Sequence, residues 1–244
     1  MKNDKRRLKT IREHFDIESQ DFDSIIKMQV PFYDLFIEAL VNVLPFEWDK
    51  AIRVADLGCG TGALTCKVKE KFPNSEIACV DFSPEMLRTA GRKLSKYTGI
   101  SYHKTDILDF DLNGYDAVLS SLCLHHIGTE NKKKKFFGKV HGKLSQGGAF
   151  YIYDVVLAPG NALQNVYTGE WKRYLAKNLS PRDIKNIMRK HHKEDRPCVL
   201  MDEIEWLKEA GFENVDIICK FYNGAVYGGV KPGCFRKGKN GTSI

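Results

Sequence analysis

No apolar run in this 244-residue chain approaches the roughly 20 residues that a membrane-spanning helix needs. The opening residues, Met1-Lys2-Asn3-Asp4-Lys5-Arg6-Arg7, are basic but have no apolar core behind them, so no secretory leader is expected there. The seven cysteines are odd in number, and none stands in Cys-x-x-Cys spacing. That excludes a zinc knuckle and gives no disulfide framework. A reducing cytoplasm is the compartment this implies, and no metal ligands are expected. Internal repeats and low-complexity linkers are also missing. With 43% hydrophobic residues, the length suits one large α/β domain with additions rather than two independent domains.

What the chain does have is a strand, a glycine turn and a helix in direct succession. Residues 51–57 read as an apolar strand, Asp56-Leu57-Gly58-Cys59-Gly60-Thr61-Gly62 as the turn, and 61–72 as the helix. Glycine removes the Cβ where the backbone must turn sharply and a ligand must lie against it. The turn lacks the Gly-Lys-Ser/Thr of a Walker loop, and its G-x-G-x-G order differs from the G-x-G-x-x-G of dehydrogenases. A second strand, 75–81, ends in Asp81 about 20 residues after the turn, the offset at which a carboxylate reaches ribose hydroxyls. Phe82 and Met86 beside it can sandwich an adenine. Ser83-Pro84-Glu85 opens the next helix with a cap and an N1 proline. Strands over 100–104, 115–121 and 147–155 follow, and Asp106 stands just after the first of them. Alternating strands and helices predict a parallel sheet with helices on both faces and ligands at the carboxyl ends of the strands.

A D-x-G-x-G-x-G turn with an acid after each of the next two strands resembles the class I S-adenosylmethionine (SAM) methyltransferases over about residues 50–158. The resemblance implies a Rossmann-like doubly wound seven-stranded sheet, parallel with one antiparallel strand, preceded by N-terminal helices and carrying a helical lid insertion. It implies SAM as cofactor, held by Tyr33, Asp56, Gly58, Cys59, Gly60, Gly62, Asp81, Phe82, Met86, Asp106, Ile107 and Ser120. In this division, residues 1–48 are a helical cap. Residues 49–158 and 200–230 form the SAM-binding domain, 159–199 the lid, and 231–244 a disordered basic tail. The stretches Phe22 to Ile26, Gln29 to Tyr33 and Leu207 to Phe212 are also similar to the bacterial carboxy-SAM synthases of wobble-uridine tRNA modification. There the resemblance implies a lid arginine against the extra carboxylate of carboxy-SAM. Ungapped alignment puts Met188 at that position with Arg189 next to it, and methionine cannot copy the bidentate fork.

SAM carries its own leaving group, so the protein must align acceptor and methyl. A hydroxyl acceptor also needs a base. His125 and His126, after the fourth strand, are the candidates. Tyr167, Trp171, Arg173 and Tyr174 in the lid are the candidate acceptor residues, as an aromatic and cationic wall. His191 and His192 lie among charges and are expected in solvent. The net charge of +7 gathers at Lys5 to Arg7, Lys132 to Lys135 and the C-terminal tail. The lysine run reads as a solvated helix face. Nucleic acid is therefore a partner the sequence does not favour, and the amino-methylation signature Asn-Pro-Pro-Tyr/Phe is absent. The reading is methyl transfer to the oxygen or nitrogen of a small-molecule acceptor, by a monomer or homodimer with no membrane partner. Its alternatives are a carboxy-SAM synthase and a non-catalytic SAM- or RNA-binding protein.

Overall fold

The computed structural model describes residues 2–233. The basic tail expected over 231–244 lies outside them from residue 234 onward. Three helices come first: α1 (Lys2–Glu18), α2 (Phe22–Gln29) and α3 (Tyr33–Asn42). The alternating part then runs β1 (Arg53–Leu57), α4 (Ala63–Lys71), β2 (Glu76–Asp81), α5 (Pro84–Lys93), β3 (Ile100–Lys104), β4 (Ala117–Ser121), α6 (Glu130–Lys143) and β5 (Ala149–Val155). Next come α7 (Asn161–Leu175), α8 (Pro181–Glu194), α9 (Leu200–Glu209), β6 (Glu213–Phe221) and β7 (Gly224–Val230).

The seven strands form one sheet in the order β3-β2-β1-β4-β5-β7-β6. β1 to β5 pair in parallel, while β7 runs antiparallel to both β5 and β6. The order reverses between β1 and β4, and sheets of this type bind ligands beyond the carboxyl ends of the strands at such a switch point. Both faces are covered. Ala55, Leu57, Val118 and Ile152 pack toward α6 and α9, and Val54, Ile77, Leu119 and Tyr153 pack toward α3 and α4. Strand residues alternate between these two cores, as the two-residue period of a strand requires.

The segment 161–194 is two helices, not one. The first ends at Leu175, and Ser180 opens the second: its hydroxyl accepts from the Asp183 amide at 3.2 Å and Pro181 takes the first helical position. α1 and α2 lie across the strand ends. The Ser83 hydroxyl donates to Asp16 Oδ1 at 2.6 Å, and the Thr61 hydroxyl donates to Asp23 Oδ1 at 2.6 Å. α7 is fastened to α2: Trp171 Nε1 donates to the Gln29 carbonyl at 2.8 Å and the Tyr174 hydroxyl to the Lys27 carbonyl at 2.7 Å. Within the lysine run, Lys133 departs from a solvated face. It is fully buried and donates to Glu203 Oε1 at 2.8 Å, joining α6 to α9. Among the described residues no helix is long and apolar enough to cross a membrane.

Candidate active site

The glycine turn folds back over the end of β2. The Gly58 and Cys59 amides donate to the Val80 carbonyl at 2.8 and 3.1 Å. Asp81 holds the next loop from below, with Oδ2 accepting from the Gly60 amide at 3.0 Å and Oδ1 from the Ser83 amide at 2.8 Å. Gly60 has a φ of 52°, and a Cβ built there would meet nothing within 4 Å. Bare backbone therefore faces open space at the centre of the turn.

That space is a cavity. Of the residues expected to hold a cofactor, Tyr33, Asp56, Gly58, Cys59, Gly60, Asp81, Phe82 and Met86 line it. Asp56 is its most strained electrostatic element. Oδ2 accepts from the Thr65 hydroxyl at 2.6 Å, but Oδ1 is buried with no partner. Burial pushes its pKa up to about 7, against the pull of the Thr65 hydrogen bond. Burial also lifts Asp81 to about 6, against the backbone N–H groups of Ser83 and Gly60. A buried carboxylate oxygen without a donor is costly, and a cationic ligand group relieves it. SAM carries both an ammonium and a sulfonium. The orphaned Asp56 oxygen, the open glycine backbone and the acid at the end of β2 fit it.

Four expected cofactor residues are elsewhere. The Ser120 hydroxyl donates to the Leu57 carbonyl at 2.9 Å inside the sheet, and its neighbour Ser121 lines the cavity instead. Adjacent strand residues face opposite ways, so a one-residue choice decides which serine is presented. Asp106 Oδ1 accepts from the Leu108 amide at 2.9 Å, closing the turn after β3, and Ile107 is packed into the core. Gly62, with a φ of 81°, leaves room for Leu94, whose Cδ1 would lie 2.8 Å from a Cβ there.

A larger cavity adjoins the first, and Phe15, Phe22, Leu122 and His126 line both. His125 and His126 stand in a short 3-10 turn, Leu124–His126, directly after β4. Asp154 at the end of β5 grips His125 twice. Its Oδ1 lies 2.5 Å from His125 Nδ1, and its Oδ2 accepts from the His125 amide at 2.8 Å. Burial opposes a charge on His125, but Asp154 and Asp195 outweigh it and raise its pKa. His126 goes the other way, down to about 3, through burial and the neighbouring His125. Its Nδ1 is buried without a partner.

The lid residues part company. Only Trp171 of the four expected acceptor residues lines the larger cavity. The Tyr167 hydroxyl accepts from Lys220 Nζ at 2.8 Å, Tyr174 reaches α2, and the exposed Arg173 pairs with Glu170 one turn away on its own helix. Tyr174 thus fastens α7 to another helix, and Tyr167 packs against β6 and the turn that follows it. His192 is exposed as expected, but His191 lines the cavity, its Nδ1 lying 2.6 Å from Asp195 Oδ2. Asp154 and Asp195 were not foreseen. Asp154 follows the same rule as Asp81, an acid at the carboxyl end of a strand, and that rule would have found it. Asp195 ends a helix and carries no such signal.

Residues 54–148 match the methyltransferase domain family. Over that stretch the chain carries a SAM-dependent methyltransferase domain. It is 22% identical to the carboxy-S-adenosyl-L-methionine synthase of Nautilia profundicola over 90% of this chain and 95% of that enzyme. It is 25% identical to malonyl-[acyl-carrier protein] O-methyltransferase 1 of Ilyobacter polytropus, over 57% of this chain and 50% of that protein. The fold resembles that of phosphoethanolamine N-methyltransferase 2 of Haemonchus contortus, in complex with phosphomonomethylethanolamine and S-adenosylhomocysteine, with a TM-score of 0.64 and 17% identity. That match covers 89% of this chain and 58% of the other.

Proposed function

We propose that this enzyme transfers the SAM methyl group to an oxygen or nitrogen of a small-molecule acceptor held in the larger cavity. The observation that carries the reading is the shared wall. His126, Phe15, Phe22 and Leu122 border both cavities, so a cofactor over the glycine turn and an acceptor beside the histidines would meet there. In this reading Asp56 faces the cationic end of SAM, Asp81 the ribose, and Phe82 with Met86 the adenine. The acceptor's nucleophile sits at His125 and His126. α1, α2, α7 and α8 act as the lid that excludes water. Positioning of this kind is worth about 7–11 kcal/mol of a displacement barrier.

A carboxy-SAM synthase is the second reading, supported by relatives of that name that match nearly full length. It needs a cation at the acceptor side. Arg189 is exposed and, among the described residues, reaches Asn186 alone, on its own helix at 3.2 Å, while Lys190 lines the larger cavity but is engaged with Glu18 at 3.1 Å.

Mass spectrometry of small molecules released by denaturing the purified protein, followed by an acceptor screen with labelled SAM, tests both. Bound SAM or S-adenosylhomocysteine with methylated product supports the first reading. Bound carboxy-SAM replaces it with the second. A protein that neither carries nor takes up SAM rules out both.

A further inference from the structure

The larger cavity holds a group of side chains that methyl transfer alone does not require. His125 Nε2 lies 3.7 Å from Asp195 Oδ1, and His126 Nδ1 lies 3.4 Å from the same oxygen. Neither contact is a hydrogen bond, and His126 Nδ1 has no other partner. One atom from each of the three residues lies within 4.8 Å of the others. Ligands bound at about 2.0–2.2 Å in a tetrahedral arrangement stand about 3.4 Å apart, so these separations suit an ion between them.

The surroundings hold two of the three donors in place. Asp154 takes the Nδ1 side of His125, which leaves Nε2 turned toward Asp195. His191 holds the second oxygen of Asp195, which leaves Oδ1 turned toward the histidines. Carboxylate behind imidazole is how metal-binding histidines are commonly oriented. All three side chains line the larger cavity, so a ligand in the cavity can complete the coordination.

We propose that His125, His126 and Asp195 bind one divalent transition-metal ion in the wall of the acceptor cavity. Two imidazoles and one carboxylate suit zinc or iron(II) better than magnesium or calcium. No metal ligands were expected from the sequence, because Asp195 is remote from the histidine pair along the chain. The role of the ion rests on the acceptor reading above; the site itself does not. An acceptor oxygen on the ion loses its proton to water more readily than a free hydroxyl. That oxygen's lone pair then forms the new C–O bond, and the C–S bonding pair stays on sulfur to give S-adenosylhomocysteine.

The test uses the full chain, stripped with a chelator and titrated with Zn²⁺ or Co²⁺. Metal content after gel filtration and the visible absorption of Co²⁺ are the readouts. One equivalent is expected to stay bound, with an absorption spectrum of nitrogen and oxygen coordination. His126→Gln and Asp195→Asn each lose affinity by about 100-fold or more, and Asp154→Asn by about 10–100-fold, as an orienting partner does. The exposed neighbour His192→Ala keeps it. Sub-stoichiometric metal in the parent protein, or undiminished binding in both His126→Gln and Asp195→Asn, overturns the site. SAM binding is measured on the same samples. Variants that bind SAM are folded, so their loss of metal is specific. A parent protein that binds SAM but no metal sinks this inference alone, whereas one that binds no SAM sinks the methyl-transfer reading.

Discussion

Cys123 Sγ fills the space that a Cβ on Gly58 would occupy. Gly58 also has a φ of 72°, a conformation that L side chains rarely adopt. Gly58→Ala therefore strains the backbone and displaces the loop after β4 together. The expected loss is about 1–3 kcal/mol in urea unfolding, the usual range for overpacking. SAM affinity should fall at least tenfold by calorimetry. Adding Cys123→Gly should recover part of the stability, because it removes both the Sγ and the Cβ that crowd the new side chain and leaves only the backbone strain. Unchanged stability in Gly58→Ala would count against the packing described here.

The acids of the cofactor cavity make SAM binding pH-dependent. Asp56 sits at about 7 and Asp81 at about 6, both above the ordinary carboxylate value of 3.8. For a raised carboxyl, the stabilising contribution is full below the unfolded value and is lost as pH rises through the folded one. The ligand-free protein therefore loses these two contributions between about pH 4 and pH 7. A cationic cofactor favours the ionised acids, so SAM affinity should rise over the same interval, by up to about tenfold per pH unit for each group that titrates. Asp56→Asn should abolish the upper part of that rise. Calorimetry across the interval decides it, and a flat affinity would place the cofactor's cation away from Asp56.

Glu203 accepts from Lys133 Nζ at 2.8 Å and from the Tyr227 hydroxyl at 2.5 Å, and all three side chains are fully buried. Removing one partner of such a pair strands the other charge. Glu203→Gln is expected to cost about 3–5 kcal/mol in chemical denaturation. Lys133→Met with Glu203→Leu, which removes both charges, should be far less damaging than the single change. Were the double variant the worse of the two, the pair would be contributing more than it costs to desolvate.

Trp171 touches the larger cavity and also bonds to α2. Trp171→Phe keeps a ring but drops the bond to Gln29, a loss of about 1 kcal/mol. Hydrogen exchange should quicken over residues 22–29 and 161–175 with little change in the sheet. Equal quickening throughout would mean global rather than local destabilisation.

The sheet was legible because its signals are local. Apolar runs, the glycine turn, and acids at strand ends each lie within a few residues of the feature they announce. Of the eight expected cofactor residues that line one cavity, seven, all but Tyr33, stand at the glycine turn or just after β2 for that reason. The other placements turn on what the local sequence does not state. Ser120 against Ser121 depends on strand facing, and Tyr167, Arg173 and Tyr174 depend on what α7 packs against, which its own sequence does not state. Lys133 looks like any lysine in a basic run until α9 arrives with Glu203. Asp195 meets His125 and His126 only through the tertiary fold.

The fastening of α1 and α2 to later segments bears on the order in which the molecule assembles. The Arg7 guanidinium donates to the carbonyls of His126 and Glu194, His14 meets Glu194 at 3.2 Å, and Phe32 meets Phe221 at 4.8 Å between rings. These helices thus rest on partners far along the chain, 119 residues away for Arg7 and His126 and 180 for His14 and Glu194. Contacts so far apart in sequence form slowly. During synthesis the apolar faces of α1 and α2 have no complete surface to cover. Closure of the larger cavity then belongs among the last events of folding, and a chain that lacked the later partners would have no such cavity to close.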